Sequence, residues 1–357
     1  MWPPDPGQNL VKFIICNALA LSVVASCCAG GETTVHRFGR QSMGTWGEIL
    51  LAGPDSTALA PAADAALLRF ERVDLLMSNW NPESELSKAN RAAAEGCTLH
   101  PEIAPVLESA LEIGRLSGGA FDITVEPLVR LWGFLGGEPR LPAAEEIDLL
   151  LPRIGLAHIE YDSTRRWLHY DIPQLRIDLG GIAKGRAVDL AYEELQARGV
   201  NGALINLSGN MRAIGQPPGR AHWVVGVRDP AGPFEAIASL ALQGEAIATS
   251  GSYEQFVAAD GRRYGHILDP RSGWPADELA QVTVLAATAM EADAWATALS
   301  VLGIEQAVAI LQQQADLHAI CIRPDGPGRW EILTCSHLID RLQLLPAAAG
   351  RFEVEVF

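Results

Sequence analysis

Three stretches of this 357-residue chain hold residue types and spacings that can do chemistry. In the first, Ile177-Asp178-Leu179-Gly180-Gly181-Ile182-Ala183-Lys184-Gly185-Arg186, a strand end runs through paired glycines into a helix. Such a turn can offer backbone N–H groups to an anion while the helix start contributes its positive end. Lys184 and Arg186 add positive charge beside it, although a plain strand–helix turn with solvated Lys and Arg has the same pattern. In the second, Asp293 and Thr297 are four residues apart and share one face of a helix. An acid and a hydroxyl on an otherwise apolar helix are costly to bury unless something satisfies them. Magnesium suits them, because it prefers oxygen ligands and completes its octahedron with water and phosphate. Helix capping by Asp293, with Thr297 bonded back to a carbonyl, suits them equally. In the third, Thr249, Ser250 and Gly251 form a hydroxyl cluster fit for a phosphate or nucleotide edge. His266 further on can donate to a phosphate or move a proton, or be a structural histidine before the turn at 269–273. No Ser–His–Asp or Cys–His nucleophile pattern occurs.

The elements that position these residues follow from periodicity and turn chemistry. Residues 36–51 read as a hairpin broken at Met43-Gly44-Thr45, and 61–77 and 102–117 have helical spacing. Residues 78–90 are polar and turn-rich, and 141–151 holds a short acidic helix. Strands are expected at 168–170 and 175–177, then a helix over 182–198. Further strands are expected at 203–207, 223–227, 239–242, 246–249 and 281–286, with 206–210 as a loop. Helices at 291–301 and 303–313 and strands at 318–322 and 330–333 complete the chain. Antiparallel-looking strands and separate helices predict an α+β fold with a mixed, largely antiparallel sheet. The absence of Gly-x-Gly-x-x-Gly after a first strand argues against a Rossmann site.

A formal charge of -16, from 27 basic and 43 acidic residues, argues against a nucleic-acid binder and requires a local basic pocket or a cation if the substrate is anionic. Residues 13–28, FIICNALALSVVASCC, follow Lys12 and have the length and composition of a signal-peptide core. Val24-Ala25-Ser26-Cys27 resembles a lipoprotein signal with Cys27 as the lipidated residue. The expected division is therefore a leader over 1–27 and one enzymatic domain over 28–357, exported and anchored at the membrane. Beyond the leader, Cys97, Cys321 and Cys335 are too few and too far apart for a disulfide framework. They read as core thiols, with a Cys321–Cys335 bridge as the alternative.

Seven ordered blocks then match one family. They are QSMGT at 41–45, SELSKAN at 84–90, SGGAFDITVEPLVRLWGF at 117–134, IDLGGIAKGRAVD at 177–189, IATSGSYEQF at 247–256, YGHILDPRSGWP at 264–275 and EADAWATALSVLG at 291–303. In these the chain resembles the ApbE family of FAD:protein FMN transferases. The resemblance implies a T-fold-like α+β structure that binds FAD as substrate in a cleft. It implies joining of FMN, through its phosphate, to a threonine or serine of an acceptor such as an NqrC or RnfG electron-transfer subunit, with release of AMP. By position it makes the Gly181 carbonyl, Asp293 and Thr297 the ligands of Mg²⁺, or of Mn²⁺. Met43, Ser78, Asn79, Trp80, Asp122, Lys184 and His266 would line the flavin nucleotide site, with Thr249 and Ser250 nearby. His266 is the first candidate for general base, ahead of Asp269 and Asp178. The setting implied is the periplasmic face of the inner membrane. FAD pyrophosphatase activity and non-catalytic FAD binding are the rival expectations.

Overall fold

The computed structural model describes residues 33–232 and 235–357. The leader expected over 1–27, with Cys27, lies outside the described residues. The chain begins with β1 (Thr34–Ser42), β2 (Thr45–Gly53), α1 (Ser56–Met77), α2 (Glu85–Ala92), β3 (Cys97–Thr98), α3 (Ala104–Leu116), α4 (Glu126–Leu131) and α5 (Ala144–Leu150). It continues through β4 (Ile159–Asp162), β5 (Trp167–Tyr170), α6 (Ala183–Ala197), β6 (Gly202–Leu207), β7 (Asn210–Gly215), β8 (Trp223–Arg228), β9 (Ala236–Leu242) and β10 (Ala246–Gly251). The last part holds β11 (Phe256–Ala259), β12 (Arg262–Gly265), β13 (Gln281–Ala286), α7 (Ala289–Leu311), β14 (His318–Pro324), β15 (Trp330–Thr334), α8 (Ser336–Ile339), β16 (Leu342–Leu344) and β17 (Phe352–Val356).

Nine strands form the central sheet in the order β1-β2-β6-β7-β10-β13-β14-β15-β17, and only the β15–β17 pair is parallel. Strand periodicity explains its layers, because successive side chains point to opposite faces. Ile49, Leu51, Ala203, Ile205, Val282 and Val284 pack with α1, α3, α6 and α7 in one core. Their neighbours Leu50, Leu204, Ile247, Leu285 and Ile320 pack on the other face, against β8 and β9 of the small β16-β9-β8 sheet. A third cluster, with Trp132, Phe134, Ile147 and Leu268, joins α4 and α5 to the β11–β12 hairpin. Helix α7 has the length and apolar composition of a membrane span, yet most of it is buried in the helical layer. It is broken at Gly303, whose φ of 73 separates the two helices expected there.

Three local expectations change. Residues 84–90, read as turn, form α2, because Ser84 caps it by accepting from Ser87 N–H at 3.0 Å while Leu86, Ala89 and Asn90 face inward. Residues 175–177 are not a strand. The buried Asn90 takes the place of a neighbouring strand: its Nδ2 donates to the Ile177 carbonyl at 2.9 Å, and its Oδ1 accepts the Ile177 N–H at 2.9 Å. Residues 206–210, read as a loop, are the tip of a β6–β7 hairpin in which Leu207 pairs with Asn210. Cys97, Cys321 and Cys335 are all free thiols, so the alternative bridge is absent.

Candidate active site

The β1–β2 and β6–β7 hairpins turn through two residues each, Met43-Gly44 and Ser208-Gly209, all with positive φ. This is the turn geometry that matches strand twist, and it normally selects Asn or Gly. Met43 and Ser208 hold it without that freedom, at φ 52 each, and both line one cleft. The cleft, of about 600 Å³, opens above the α6–α7 junction.

Its floor is made where two helix starts face each other. Gly185 lies so close to α7 that an added Cβ would stand 2.1 Å from the Ala289 carbonyl oxygen. At this approach the helices cap each other. Asp293 of α7 accepts the Gly185 N–H at 3.0 Å, while Asp189 of α6 accepts the Ala289 and Met290 N–H groups at 3.0 and 2.9 Å. These bonds satisfy N–H groups that a helix start leaves unpaired. Thr288 and Glu291 cap α7 itself, so Asp293 serves the neighbouring helix rather than its own. Asp293 is 3% exposed, and Lys184 Nζ lies 3.6 Å from its Oδ1 and 3.1 Å from the Gly180 carbonyl oxygen. Thr297 Oγ1 is 3.4 Å from Ser250 Oγ and donates to the Asp293 carbonyl at 3.3 Å. A Cβ on Gly181 would stand 3.3 Å from that same Oγ1.

Of the N–H groups of the glycine turn, those of Gly180, Ile182 and Ala183 are taken inside the turn, and among the described residues no bond is made by that of Gly181, which lines the cleft. Gly180 N–H donates to Asp178 at 2.7 Å, and those of Ile182 and Ala183 donate to the Leu179 carbonyl at 3.0 and 2.8 Å. What the floor presents is the Lys184 cation together with oxygen donors.

The roof is the turn after β10 together with His266, which follows β12. The Gln255 carbonyl accepts the His266 backbone N–H at 3.1 Å and its Nδ1–H at 3.3 Å. A carbonyl can only accept, so Nδ1 carries the proton and Nε2 keeps its lone pair. Burial and the nearby Lys184 charge push His266 down to about 4, which keeps the ring neutral near pH 7. Phe134 meets this ring edge-on. Glu254, also in the turn, lines the cleft, and burial pushes its carboxyl up to about 7.

Met43, Ser78, Asn79, Trp80, Asp122, Gly181, Lys184, Thr249, Ser250, His266, Asp293 and Thr297 all line this one cleft. Several of them also hold its walls together. Asn79 Nδ2 donates to the Ile177 carbonyl at 3.1 Å, Ser78 Oγ accepts the Trp80 N–H at 3.2 Å, and Thr249 Oγ1 meets Thr283 Oγ1 at 2.9 Å. Asp122 Oδ1 accepts from the Thr124 N–H at 2.7 Å, and burial raises its carboxyl above the ordinary value. Trp80, 66% exposed, stands at the rim. Asp178 lines the cleft and is also raised by burial, whereas Asp269 is held by Arg271 at 2.8 and 2.9 Å and is not part of the lining. Glu254 was not singled out from the sequence, and its place in the matching IATSGSYEQF block was the available signal.

A cation above an acid–hydroxyl pair, roofed by a neutral histidine, is an arrangement for handling phosphate. A family model described as the ApbE family matches residues 43–321. The chain belongs to the ApbE family. This ApbE protein is 32% identical over 282 residues to the FAD:protein FMN transferase of Escherichia coli K12, spanning 77% of this chain and 80% of that one. The FAD:protein FMN transferase of Treponema pallidum is 29% identical over 354 residues, 93% of this chain and 94% of its own. Among solved structures, the ApbE protein of Thermotoga maritima superposes with a TM-score of 0.76 at 31% identity, covering 82% of this chain and 96% of that one. Flavin transferase ApbE of Vibrio cholerae gives 0.74 at 30% identity, covering 85% and 98%. The activity of this ApbE chain is therefore transfer of FMN from FAD to a threonine or serine of a protein.

Proposed function

We propose that the transfer is magnesium-dependent, with manganese as the alternative ion, and that Asp293, Thr297 and the Gly181 carbonyl are the metal ligands. Among the described residues no three His, Cys, Asp or Glu side chains gather as a metal site. The donors here are of another kind: one carboxylate, one hydroxyl and one backbone carbonyl. An all-oxygen set of this size suits a hard cation that keeps most of its shell for water and phosphate. The observation that carries the reading is the floor itself, where Thr297 Oγ1 adjoins Gly181 and the buried Asp293 already draws the Lys184 ammonium to 3.6 Å. When bound, the ion would neutralise charge growing on the transferring phosphoryl group. Lys184 bonds the pyrophosphate oxygens, and Ser250 and Thr249 supply hydroxyl donors beside it. His266 accepts a hydrogen bond at Nε2. Met43, Ser78, Asn79, Trp80 and Asp122 shape the flavin nucleotide pocket.

The acceptor in this reading is an NqrC- or RnfG-like electron-transfer subunit. The enzyme acts at the periplasmic face of the inner membrane, anchored through lipidated Cys27. The leader composition supports the location, and the family reaction supports a protein acceptor. The test is incubation with FAD, Mg²⁺ and such an acceptor domain, followed by denaturation and fluorescence of the acceptor band. Covalent flavin with equimolar AMP is expected. Free FMN and AMP without labelled acceptor would instead mean FAD hydrolysis, and full turnover with a chelator present would remove the metal from the reading.

A further inference from the structure

Transfer to a threonine or serine brings a second protein to the mouth of the cleft, because so short a side chain reaches the phosphate only if its own backbone comes up to the rim. Protein encounters bury on the order of 600–800 Å² on each partner, far more than an opening for one side chain, so a face beside the rim must share the contact. Helix α1 offers that face. Leu68 and Leu75 are 50% and 60% exposed, and a separation of two helical turns puts them on one side of the helix about 10 Å apart. Single exposed leucines are ordinary on a protein surface, but these two are aligned and point along the helix to the cleft. Asp74, Met77 and Ser78 at the end of α1 line it, and Trp80, 66% exposed, stands at the rim just beyond. The stripe is continuous with the opening through which the acceptor enters.

The charges around the stripe select the kind of partner. Glu71 and Arg72 flank it on either side, and each is already paired: Arg40 holds Glu71 at 2.7 Å and Asp64 at 3.5 Å, and Arg72 holds Glu102 at 2.6 Å. Arg69 is bound to Glu194. Cations neutralised in this way give anionic lipid headgroups little to hold, which argues against a membrane surface. Apolar side chains bordered by charges that satisfy one another are the makings of a protein interface, with a dry centre and a polar rim. We propose that the α1 stripe, from Leu68 through Leu75 to the rim at Trp80, docks the protein acceptor, which presents apolar side chains beside the threonine or serine that takes FMN. The proposal rests on the flavin-transfer reading.

Docking on this stripe is separable from the chemistry. Leu68 and Leu75 are not part of the cleft lining, so they touch neither the floor nor the roof. They set how much of the acceptor is held at the mouth, and not how the phosphoryl group moves once the hydroxyl is in place. Their contribution therefore enters the KM for the acceptor, leaving kcat and the binding of FAD as they are.

The test uses L68Q, L75Q and the double variant, which keep a good helix former at each exposed position and add no charge. Flavinylation of an NqrC-like acceptor domain is measured at saturating FAD and Mg²⁺ while the acceptor concentration is varied. The double variant should raise the KM for the acceptor about 10–100-fold, and each single variant by less, with kcat and the KM for FAD within about two-fold of wild type. Direct titration with the acceptor domain, its target residue changed to valine, should weaken by the same factor. An unchanged acceptor KM and Kd would overturn the proposal. So would a fall in kcat with the acceptor KM kept, which would mean that the leucines support the shape of the site. Loss of a wild-type dimer in sedimentation, or of binding to phosphatidylglycerol vesicles, with the acceptor KM kept, would give the stripe to a second copy or to a membrane. Free FMN with no labelled acceptor from the wild type would instead overturn the transfer reading, whereas the titration judges the stripe by itself.

Discussion

At the floor of the cleft, Asp189 and Asp293 each bind backbone N–H groups of the opposite helix, and cations approach both: Arg212 lies 2.6 Å from Asp189 and Lys184 3.6 Å from Asp293. At the roof of the same cleft, no protein donor reaches the Glu254 carboxylate or His266 Nε2 among the described residues. The turn there is held by backbone contacts, by Gln255, and by the Ser252 and Tyr253 hydroxyls bonded to the Ala280 carbonyl and Gln281. The floor charges are held in place before any ligand arrives, which suits binding of a cation and phosphate without reorganisation. The roof groups have their proton affinities moved in opposite directions by burial, which suits exchange of protons and hydrogen bonds. One cleft thus divides its work between a fixed electrostatic half and a protonic half.

The largest expected effect breaks the fixed half. D293N keeps an acceptor for the Gly185 N–H but removes the charge. It should lower flavin transfer by about 10²–10³-fold with little change in melting temperature, measured by AMP release against Mg²⁺ concentration. An unchanged rate at limiting Mg²⁺ would take Asp293 out of the metal site. Next in size is G185A, which forces a methyl into the Ala289 carbonyl at the α6–α7 contact. About 1–3 kcal/mol of stability should be lost in urea denaturation, with transfer falling as well because Asp293 is displaced. Wild-type stability would mean that this close approach does not hold the floor.

The smallest effect sharpens the protonic half. His266 has a folded value depressed from 6.5 to about 4, so the unfolded chain takes the proton first and stability is lost as pH falls through that window. Glu254 is raised from 4.5 to about 7, so the folded chain keeps its proton longer and stability is lost as pH rises through that window. The two slopes oppose each other where the windows overlap, so the two contributions partly cancel in the wild type. H266Q should then leave stability falling with pH and E254Q should leave it rising, read from thermal midpoints between pH 4.5 and 6.5. Parallel profiles for the two variants would contradict the assignment of opposite shifts.

Much of the floor was legible because its signals are local. The four-residue spacing of Asp293 and Thr297 places them on one helix face, and paired glycines before Lys184 mark a helix start. The roof was harder. His266 could be named as a residue type, but which of Asp178, Asp269, His266 and Glu254 keeps a free lone pair depends on how each turn is folded, since the same residues two positions apart can bond or face away. Asp269 is taken by Arg271, and Asp178 by Gly180. Helix α2 was missed although Leu86, Ala89 and Ala93 carry helical spacing, because its polar residues outnumber them and Asn90 is buried for its hydrogen bonds rather than its hydrophobicity. The β6–β7 hairpin was missed because its tip reads as a loop, and only pairing with β6 and β10 makes β7 a strand of the sheet.

By itself the amino-acid order determined the α+β class, the family, the FAD-to-protein transfer and many, though not all, of the residues around the cleft. Each of these rests on periodicity or on contiguous blocks a few residues long. Tertiary structure decided which of those residues are already satisfied and which remain open to a ligand. Asp293 meets Gly185 across 108 positions of sequence, and Asn90 meets Ile177 across 87. Hydrogen-bond satisfaction and desolvation are sums over such distant neighbours, and no local pattern encodes them.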